Sequence, residues 1–591
     1  MFNNEADFSF KRFFHPLTTR NAVYFIIIVD IIIYSNSLFG AFVADDKGQV
    51  QFNYAVQSLK NILIFFSGST FIPANGTTEL VGPFYKPLLS LTYAFLYVFF
   101  GATPFFFHAL QLSLHIFNGI LVFLLFKTFF KEKLAFFLAL IFLVHPINSE
   151  SVVYIADLQE PLFFAFGISA LMVSLKKNIS LKRGVLISFL LLCSLLSKET
   201  GILFFIIILI NKIIFTPDKR QLTKTIFVIT LPILIYGYLR FSVAKIFLQK
   251  VPGMPIAEIT FMQRVLTMPA IVFYYLKTFF YPFVLNFFQQ WVVKDITIGS
   301  FYIPLLLDVL FFIAVIFLGI FTYKKRGVKL LLPFVFFISW FFIGIGFHLQ
   351  IIPLDLTVSD RWFYFPIVGL LGILGIFFQS FPTKFSQYKN LGIAVGIVIL
   401  CLFSLRTMIR NTNWSDEITL FTHELHYSES DIIENNLGLD YIANHDYDDA
   451  IIHLKKSVAI KPGFINLYDL ASAYMAIGDL KKAEAYFLQA VAYKNAKDYK
   501  LFSEKLFQQL STVYILSHQY SSAEKLATHV VKDYPHDGLL WENLAVSQYL
   551  LGDNQSALHA ITQAKKYLQN DEVQYIDKQI STNQPIHFGN I

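Results

Sequence analysis

Long apolar stretches separated by short polar loops fill the first two thirds of the chain. They recur from residue 21 to about residue 410, and most are long enough to cross about 30 Å of hydrocarbon. After Trp414, charged and apolar residues instead mix at helical spacing. This pattern predicts an all-α protein with a polytopic membrane bundle over 1–412, a linker over 413–430 and a soluble helical part after it.

Basic loops predict the orientation of the bundle, because Lys and Arg collect on the cytoplasmic side of membrane proteins. Basic clusters fall near 127–133, 176–183, 212–224 and 324–329, and Lys11 and Arg12 precede a first span near 22–42. We expect about eleven spanning helices, a retained signal anchor at the start and a non-cytoplasmic C-terminal part. The apolar stretch 265–283 is expected to be interfacial or re-entrant, and 87–101 is open to the same interpretation.

The C-terminal part is self-similar at a period near 34 residues, which is typical of tetratricopeptide repeats. Four units are predicted at 431–464, 464–497, 504–537 and 538–571, with a tail at 572–591. Small residues such as Gly438, Ala450 and Ala483 recur where the two helices of a unit cross. Such arrays stack into a solenoid whose concave face binds peptides or proteins, and a packing spacer without a ligand is the alternative.

The composition agrees with a membrane protein and argues against several other classes. Hydrophobic residues make up 55% of the 591 residues and charged residues only 15%, against about 25% in ordinary globular chains. A purely soluble enzyme, a disordered chain and a fibrous chain are therefore disfavoured. Cys193 and Cys401 both lie in apolar runs, so no disulfide framework is expected, and a formal net charge of +7 without a basic tract indicates no nucleic-acid partner.

Charged residues gather at the predicted non-cytoplasmic ends of several spans. Charges beside a bilayer are costly unless they pair or form a site, so the gathering indicates one shared polar cavity. For any single residue, interfacial anchoring or helix capping is the alternative. The candidates are Asp45, Asp46, His145, Glu150, Asp157, Glu160, Lys198, Glu199, Asp360 and Arg361. Of these, His145 fits a helix-end role better than a ligand role.

The ordered set of motifs resembles a family of polytopic glycosyltransferases with GT-C architecture, namely the transmembrane-and-tetratricopeptide-repeat type related to protein O-mannosyltransferases. The motifs are FVADDK, YKPLLSLTYAFLYVFFG, LVHPINSESVVYI, LLSKETG and SDRWFYFP, followed by the repeats. The resemblance implies transfer of a sugar from a polyprenyl- or dolichyl-phosphate carrier to an acceptor hydroxyl, with protein Ser or Thr as the expected acceptor. Relatives often carry an Arg and then an acid after the HPxxxE string, whereas this chain has Leu158 and then Glu160. Contacts assigned to that Arg must be lost or supplied elsewhere.

The residue chemistry fits the implied inverting reaction. The attacking hydroxyl needs one carboxylate as general base, and either Asp45 or Asp46 is the candidate, since the sequence does not separate them. The phosphate leaving group is already anionic and needs cations, for which Arg361 and Lys198 are the candidates.

The remaining substrate-binding candidates are Glu150, Glu199, Glu160 and His145. Glu150 and Glu199 could bind sugar hydroxyls or position Lys198. Nothing in the chain demands a metal, and His108 and His115 on one apolar helix lack the carboxylate that a metal site would add. No cofactor is expected besides the lipid-linked sugar donor.

The expected partners are membrane lipid, the lipid-phosphate sugar donor and a protein acceptor recruited by the repeats. A bacterial inner membrane with a periplasmic site is the first expectation, and an endoplasmic reticulum membrane with a lumenal site is the alternative. The competing function is a non-catalytic membrane scaffold that assembles protein partners through its repeats. A transporter is less favoured, because the charges crowd one membrane face rather than the midplane.

Overall fold

The computed structural model describes residues 17–70, 84–176, 178–247, 254–380, 389–493 and 500–587. The predicted N-terminal flanking residues Lys11 and Arg12 lie outside the described residues. The chain divides into two compact units, Met1–Leu420 and Phe421–Ile591, and the division falls inside the predicted linker. Apart from one isolated bridge between Gln289 and Val358, the described residues form helices and loops, which confirms the predicted all-α class.

The first unit contains apolar helices joined by short loops and 3₁₀ or π turns. The helices are α1 (Thr19–Tyr34), α2 (Ile62–Ser67), α3 (Pro87–Phe100), α4 (Pro104–Lys127), α5 (Glu132–Val144), α6 (Ser149–Val153), α7 (Gln159–Ser174), α8 (Leu181–Ser197), α9 (Ile202–Phe215), α10 (Lys219–Gly237), α11 (Pro255–Glu258), α12 (Phe261–Phe280), α13 (Ile303–Arg326), α14 (Val328–Gly346), α15 (Pro366–Ser380) and α16 (Lys389–Thr412).

Six helical stretches among the described residues are long and apolar enough to cross a membrane. They are Pro104–Lys127, Ile155–Ser174, Lys219–Val243, Ile298–Arg326, Val328–Gly346 and Asn390–Thr412. A seventh results if Glu132–Val144 and Pro146–Val153, bent by 50°, count as one span. The protein is therefore a multi-pass membrane protein.

The prediction of about eleven spans depends on the shorter apolar helices. Helix α1 has 16 residues, α8 has 17 and α15 has 15, so each is close to the lower length limit for a spanning helix. Helix α12, in the stretch predicted to be interfacial, is not among the six spanning stretches of the described chain. The exact number of spans stays a prediction.

Glycines allow two of the membrane helices to pack closely. A Cβ atom at Gly369 of α15 would lie 2.5 Å from the backbone nitrogen of Phe341 in α14, and one at Gly372 would lie 2.1 Å from the ring of Phe337. Small residues at such contacts let helix backbones approach, which is how helices associate in a bilayer without a hydrophobic driving force.

The second unit consists of antiparallel helix pairs. Helix α17 (Glu417–Leu425) leads into it, and the pairs are α18 (Asp431–Ala443) with α19 (Tyr447–Ile460), α20 (Phe464–Ala476) with α21 (Leu480–Ala492), α22 (Lys500–Leu516) with α23 (Tyr520–Val530), and α24 (Gly538–Leu550) with α25 (Asn554–Tyr567). Successive helix pairs of this kind are the units of a tetratricopeptide-repeat solenoid, so the predicted architecture of this part is confirmed, while the bounds of the single repeats stay a prediction.

Corresponding positions of the repeats adopt the same backbone and the same burial. The residue in the turn of each pair has a left-handed backbone, with φ of 62° at His445, 78° at Gly478, 60° at His518 and 89° at Gly552. The alanine near the start of each second helix is fully buried, at Ala450, Ala483, Ala523 and Ala557. Small side chains here let the second helix pack closely against the first.

The predicted tail begins with a further helix, α26 (Asp571–Thr582). Its apolar residues Val573, Ile576 and Ile580 are buried in the same core as the last two repeats. A terminal helix of this kind covers the apolar face that the last repeat would otherwise expose.

Candidate functional site

Asp46 holds the acidic loop between α1 and α2 in place. Its side chain is fully buried. One carboxylate oxygen, Oδ2, accepts the Val43 N–H at 3.0 Å, and the other, Oδ1, accepts the Ala156 N–H at 2.6 Å. Because both oxygens are used by backbone donors, Asp46 ties the loop to the turn before α7 and is not placed to accept a substrate proton.

Asp45 has a different environment from its neighbour. Its side chain is exposed, and its own N–H donates to the Tyr154 hydroxyl at 3.0 Å. Although solvent reaches the carboxyl, the surrounding protein desolvates it and raises its pKa, an effect that the nearby Arg361 opposes. The structure therefore separates the two aspartates that the sequence left equivalent: Asp45 is accessible and Asp46 is structural.

Arg361, in the turn before α15, joins two of the predicted acids. Its guanidinium Nη1 donates to Glu150 Oε1 at 2.9 Å, and its Nε lies 3.4 Å from Asp157 Oδ1. The backbone N–H of Arg361 also donates to Glu150 Oε2 at 3.1 Å, and Ser359 Oγ donates to Glu150 Oε1 at 3.0 Å. Glu150 thus orients Arg361, while the guanidinium Nη2 makes no hydrogen bond within the described residues.

Two further ion pairs lie at the ends of α7, α8 and α10. Lys198 pairs with Glu160, and both side chains are buried. Glu199 Oε1 lies 2.9 Å from Nη1 of Arg240, which also donates to the Tyr236 hydroxyl at 2.9 Å. The predicted phosphate ligand Lys198 is therefore already paired with a carboxylate.

His145 points into the protein rather than towards these charges. It is fully buried, its Nε2 lies 2.9 Å from the Phe279 carbonyl oxygen, and its Nδ1 accepts the Ile147 N–H at 3.2 Å. Both ring nitrogens are used by backbone groups, which is the arrangement expected of a histidine at a helix end.

The sequence pattern did not single out Lys86, Arg240 and Asp355. Lys86 stands at the start of α3, where burial lowers its pKa, and the charges of Glu199, Lys198, Asp355 and Arg361 all act on it. Asp355 also raises the pKa of Asp45. The sequence did contain a signal for Arg240, because it lies in a loop predicted to be non-cytoplasmic, where Lys and Arg are less common in membrane proteins.

These charges form one cluster. Arg361 is paired with Glu150 and Asp157, and its charge also acts on Asp45 and on Lys86. The cluster joins an accessible carboxylate to several cations, the combination that transfer to a hydroxyl with an anionic leaving group needs. Across the described chain, no three His, Cys, Asp or Glu side chains come together as a metal site would require. The expectation that no metal is needed stays a prediction.

The fold and the site define a multi-pass, all-helical membrane protein with a charged cluster at its helix ends and a C-terminal tetratricopeptide-repeat unit. No family model matches the chain. The chain is 23% identical to the Homo sapiens protein named protein O-mannosyl-transferase TMTC3 over 494 residues, covering 77% of this chain and 53% of that protein. It is 31% identical to Homo sapiens protein O-mannosyl-transferase TMTC1 over 208 residues, covering 32% of this chain and 23% of that protein. These similarities confirm the predicted resemblance.

A third relative is the Caenorhabditis elegans protein O-mannosyl-transferase F38B6.6, which is 25% identical over 448 residues, covering 72% of this chain and 62% of that protein. The chain spans about half the length of the curated TMTC3 proteins it matches. Among solved structures, the Cut9-Hcn1 hetero-tetramer of APC/C matches with a TM-score of 0.25 and 11% identity, covering 84% of this chain and 89% of that one.

Proposed function

We propose that the chain transfers a sugar from a polyprenyl-phosphate carrier to a hydroxyl group of a protein acceptor, on the non-cytoplasmic face of a membrane. The single observation that carries the proposal is an accessible carboxylate, Asp45, within electrostatic reach of Arg361 in a multi-pass membrane protein. The names of the similar proteins support mannose as the sugar and a protein as the acceptor.

Asp45 is the general base of the proposed reaction. A base must accept the proton of the acceptor hydroxyl as that oxygen attacks the anomeric carbon, so its carboxylate has to be reachable. Asp45 meets this condition and Asp46 does not, since Asp46 is buried and both of its oxygens are occupied. A raised pKa also suits a base, because it makes the carboxylate a better proton acceptor near neutral pH.

Arg361 and Lys86 bind the carrier phosphate in this proposal. Arg361 keeps its Nη2 donors available while Glu150 and Asp157 hold the other side of the guanidinium. Within the described residues, Lys86 forms no ion pair with a carboxylate, and its ammonium lies 4.6 Å from the centre of the Phe84 ring. Lys198 is already paired with Glu160.

The repeat unit recruits the protein acceptor, as helical solenoids commonly bind peptides or proteins. Membrane lipid surrounds the first unit, and a bacterial inner membrane with a periplasmic site is the proposed location. No cofactor is needed besides the lipid-linked donor.

The test is transfer by the purified full-length chain in nanodiscs. Polyprenyl-phosphate mannose with a radiolabelled sugar is the donor, and a Ser/Thr-rich protein is the acceptor, with mass spectrometry to identify modified residues. We expect labelled acceptor with the wild-type chain and a transfer rate about 10²–10⁴-fold lower with Asp45→Asn. Protein binding by the repeats without any transfer from a panel of polyprenyl-phosphate sugars would refute the enzyme and support the competing scaffold function.

A further inference from the structure

Glu417, the first residue of α17, contacts the acidic loop directly. Its Oε1 accepts the Ala44 N–H at 2.8 Å, and its other oxygen pairs with Lys47. The Glu417 side chain is only 12% exposed, so water competes weakly for both contacts. These two contacts bracket Asp45 and Asp46 in the sequence.

The contact with Ala44 falls at a strained point of the loop. Ala44 has a φ of 48°, a left-handed backbone that a residue with a Cβ atom adopts at a cost. Such a conformation persists where the surrounding structure holds it. The carboxylate of Glu417 holds it here, and Asp45 is the next residue, so the same bond influences the direction in which Asp45 leaves the turn.

Two neighbours of Glu417 reinforce the same loop. The Ser415 carbonyl oxygen accepts the Ala41 N–H at 2.9 Å. The Trp414 ring stacks on the Tyr154 ring with 5.0 Å between centroids, and the Tyr154 hydroxyl accepts the Asp45 N–H at 3.0 Å. The segment 414–417 thus contacts the loop at Ala41 and Ala44, and reaches Asp45 through Tyr154.

We propose that Glu417 is a positioning residue for the base Asp45, acting through Ala44 and Lys47. The proposal rests on the proposed transfer function. Glu417 does not touch the substrate in this proposal; it sets the backbone of the turn from which the base projects. Since α17 runs on to Leu425, the residue that positions the base also begins the helix leading into the repeats.

The kinetic test compares Glu417→Ala, Glu417→Gln and the control Glu429→Ala in the full-length chain. Glu429 is an exposed acid a few residues beyond α17, so its removal matches the charge change without touching the loop. We expect Glu417→Ala to lower kcat by roughly tenfold to a hundredfold, the cost of a misplaced catalytic group, with KM for the donor within about twofold of wild type. The amide of Glu417→Gln still accepts the Ala44 N–H, so this variant should keep more of kcat. A kcat for Glu417→Ala within twofold of wild type would overturn the proposal.

Hydrogen–deuterium exchange of the peptide containing 43–47 tests the same contact without any activity. We expect faster exchange in Glu417→Ala than in wild type, because the Ala44 amide loses its acceptor, and no change in Glu429→Ala. If wild type transfers no sugar, the proposed function fails, and exchange alone decides whether Glu417 positions the loop. Unchanged exchange in Glu417→Ala overturns the positioning role. If Glu417→Ala does not fold, Glu417→Leu takes its place in both measurements, because leucine also removes the acceptor of the Ala44 N–H but fills more of the space. Slower turnover and faster exchange with normal melting support the role, and wild-type turnover and exchange overturn it.

Discussion

The adjacent residues Asp45 and Asp46 should respond in opposite ways to the same substitution. Asp45→Asn and Asp46→Asn each replace a carboxylate by an amide of the same shape, one position apart. Asp45 is exposed, whereas Asp46 is buried and accepts the N–H groups of Val43 and Ala156. We expect Asp45→Asn to lose transfer without loss of stability, and Asp46→Asn to lose stability.

The expected cost at Asp46 follows from its two hydrogen bonds. An asparagine side chain has one acceptor oxygen and one donor nitrogen, so it keeps one of the two bonds and turns its NH₂ group towards the other N–H. The loss of one hydrogen bond, together with the buried donor that stays unpaired, costs about 2–4 kcal/mol. Asp45→Asn removes no bond to a backbone donor, so its effect on stability should stay within about 0.5 kcal/mol.

The assay combines thermal unfolding with sugar transfer. Intrinsic tryptophan fluorescence is a suitable probe of unfolding, because Trp414 stacks on Tyr154 beside the loop. Asp46→Asn should melt several degrees below wild type, and Asp45→Asn should melt with wild type while its transfer rate falls about 10²–10⁴-fold, the contribution typical of a general base. Equal melting temperatures for both variants, or full transfer by Asp45→Asn, would refute the separation of roles.

Two further predictions concern pH. Desolvation by the surrounding protein raises the pKa of the accessible Asp45 carboxyl, and a base works only when it is deprotonated. The value of kcat should therefore fall as pH drops through a pKa above the ordinary aspartate value of about 4. A kcat profile whose acid limb is centred at or below that value would contradict the environment described for Asp45. In the repeat unit, burial raises the pKa of Glu542 to about 8, so the folded state binds the proton of this carboxyl more tightly than the unfolded state does. The free energy of unfolding should therefore fall as pH rises from about 4.5 towards 8. The expected loss is at most about 1.4 kcal/mol per unit of pKa shift. Denaturant unfolding followed by circular dichroism at pH 5.5 and 8.5 checks this: Glu542→Gln should weaken the dependence, and an unchanged slope in that variant would contradict it.

The repeat unit could be predicted from the sequence almost completely. Its packing depends on neighbours along the chain, so residues such as Ala450 and Ala483 show the helix crossings directly in their spacing, and both are fully buried. The terminal helix α26 was missed because it has no partner helix and breaks the period.

The site of the membrane unit could be predicted only as a group of residues. The loops that hold Asp45, Glu150, Lys198 and Arg361 were expected on one membrane face, and their charges do come together. Which charge pairs with which depends on distances between helices that are far apart in sequence, such as Glu150 and Arg361, separated by 211 positions. Sequence spacing contains no information on those distances, so Glu150 was assigned to the substrate or to Lys198 rather than to Arg361.

The pairing of the predicted cations changes how an anionic donor would be held. Arg361 is balanced by Glu150 and Asp157, and Lys198 by Glu160, so neither offers a full unpaired positive charge. The paired carboxylates fix the orientation of these buried cations and offset their positive charge. Such cations therefore orient a bound anion more than they attract it. Lys86 belongs to the same cluster, since the charges of Arg361 and Lys198 act on it, and within the described residues it forms no ion pair with a carboxylate. If the proposed lipid-phosphate donor is the substrate, its binding is therefore expected to depend on Lys86 for attraction and on Arg361 for orientation.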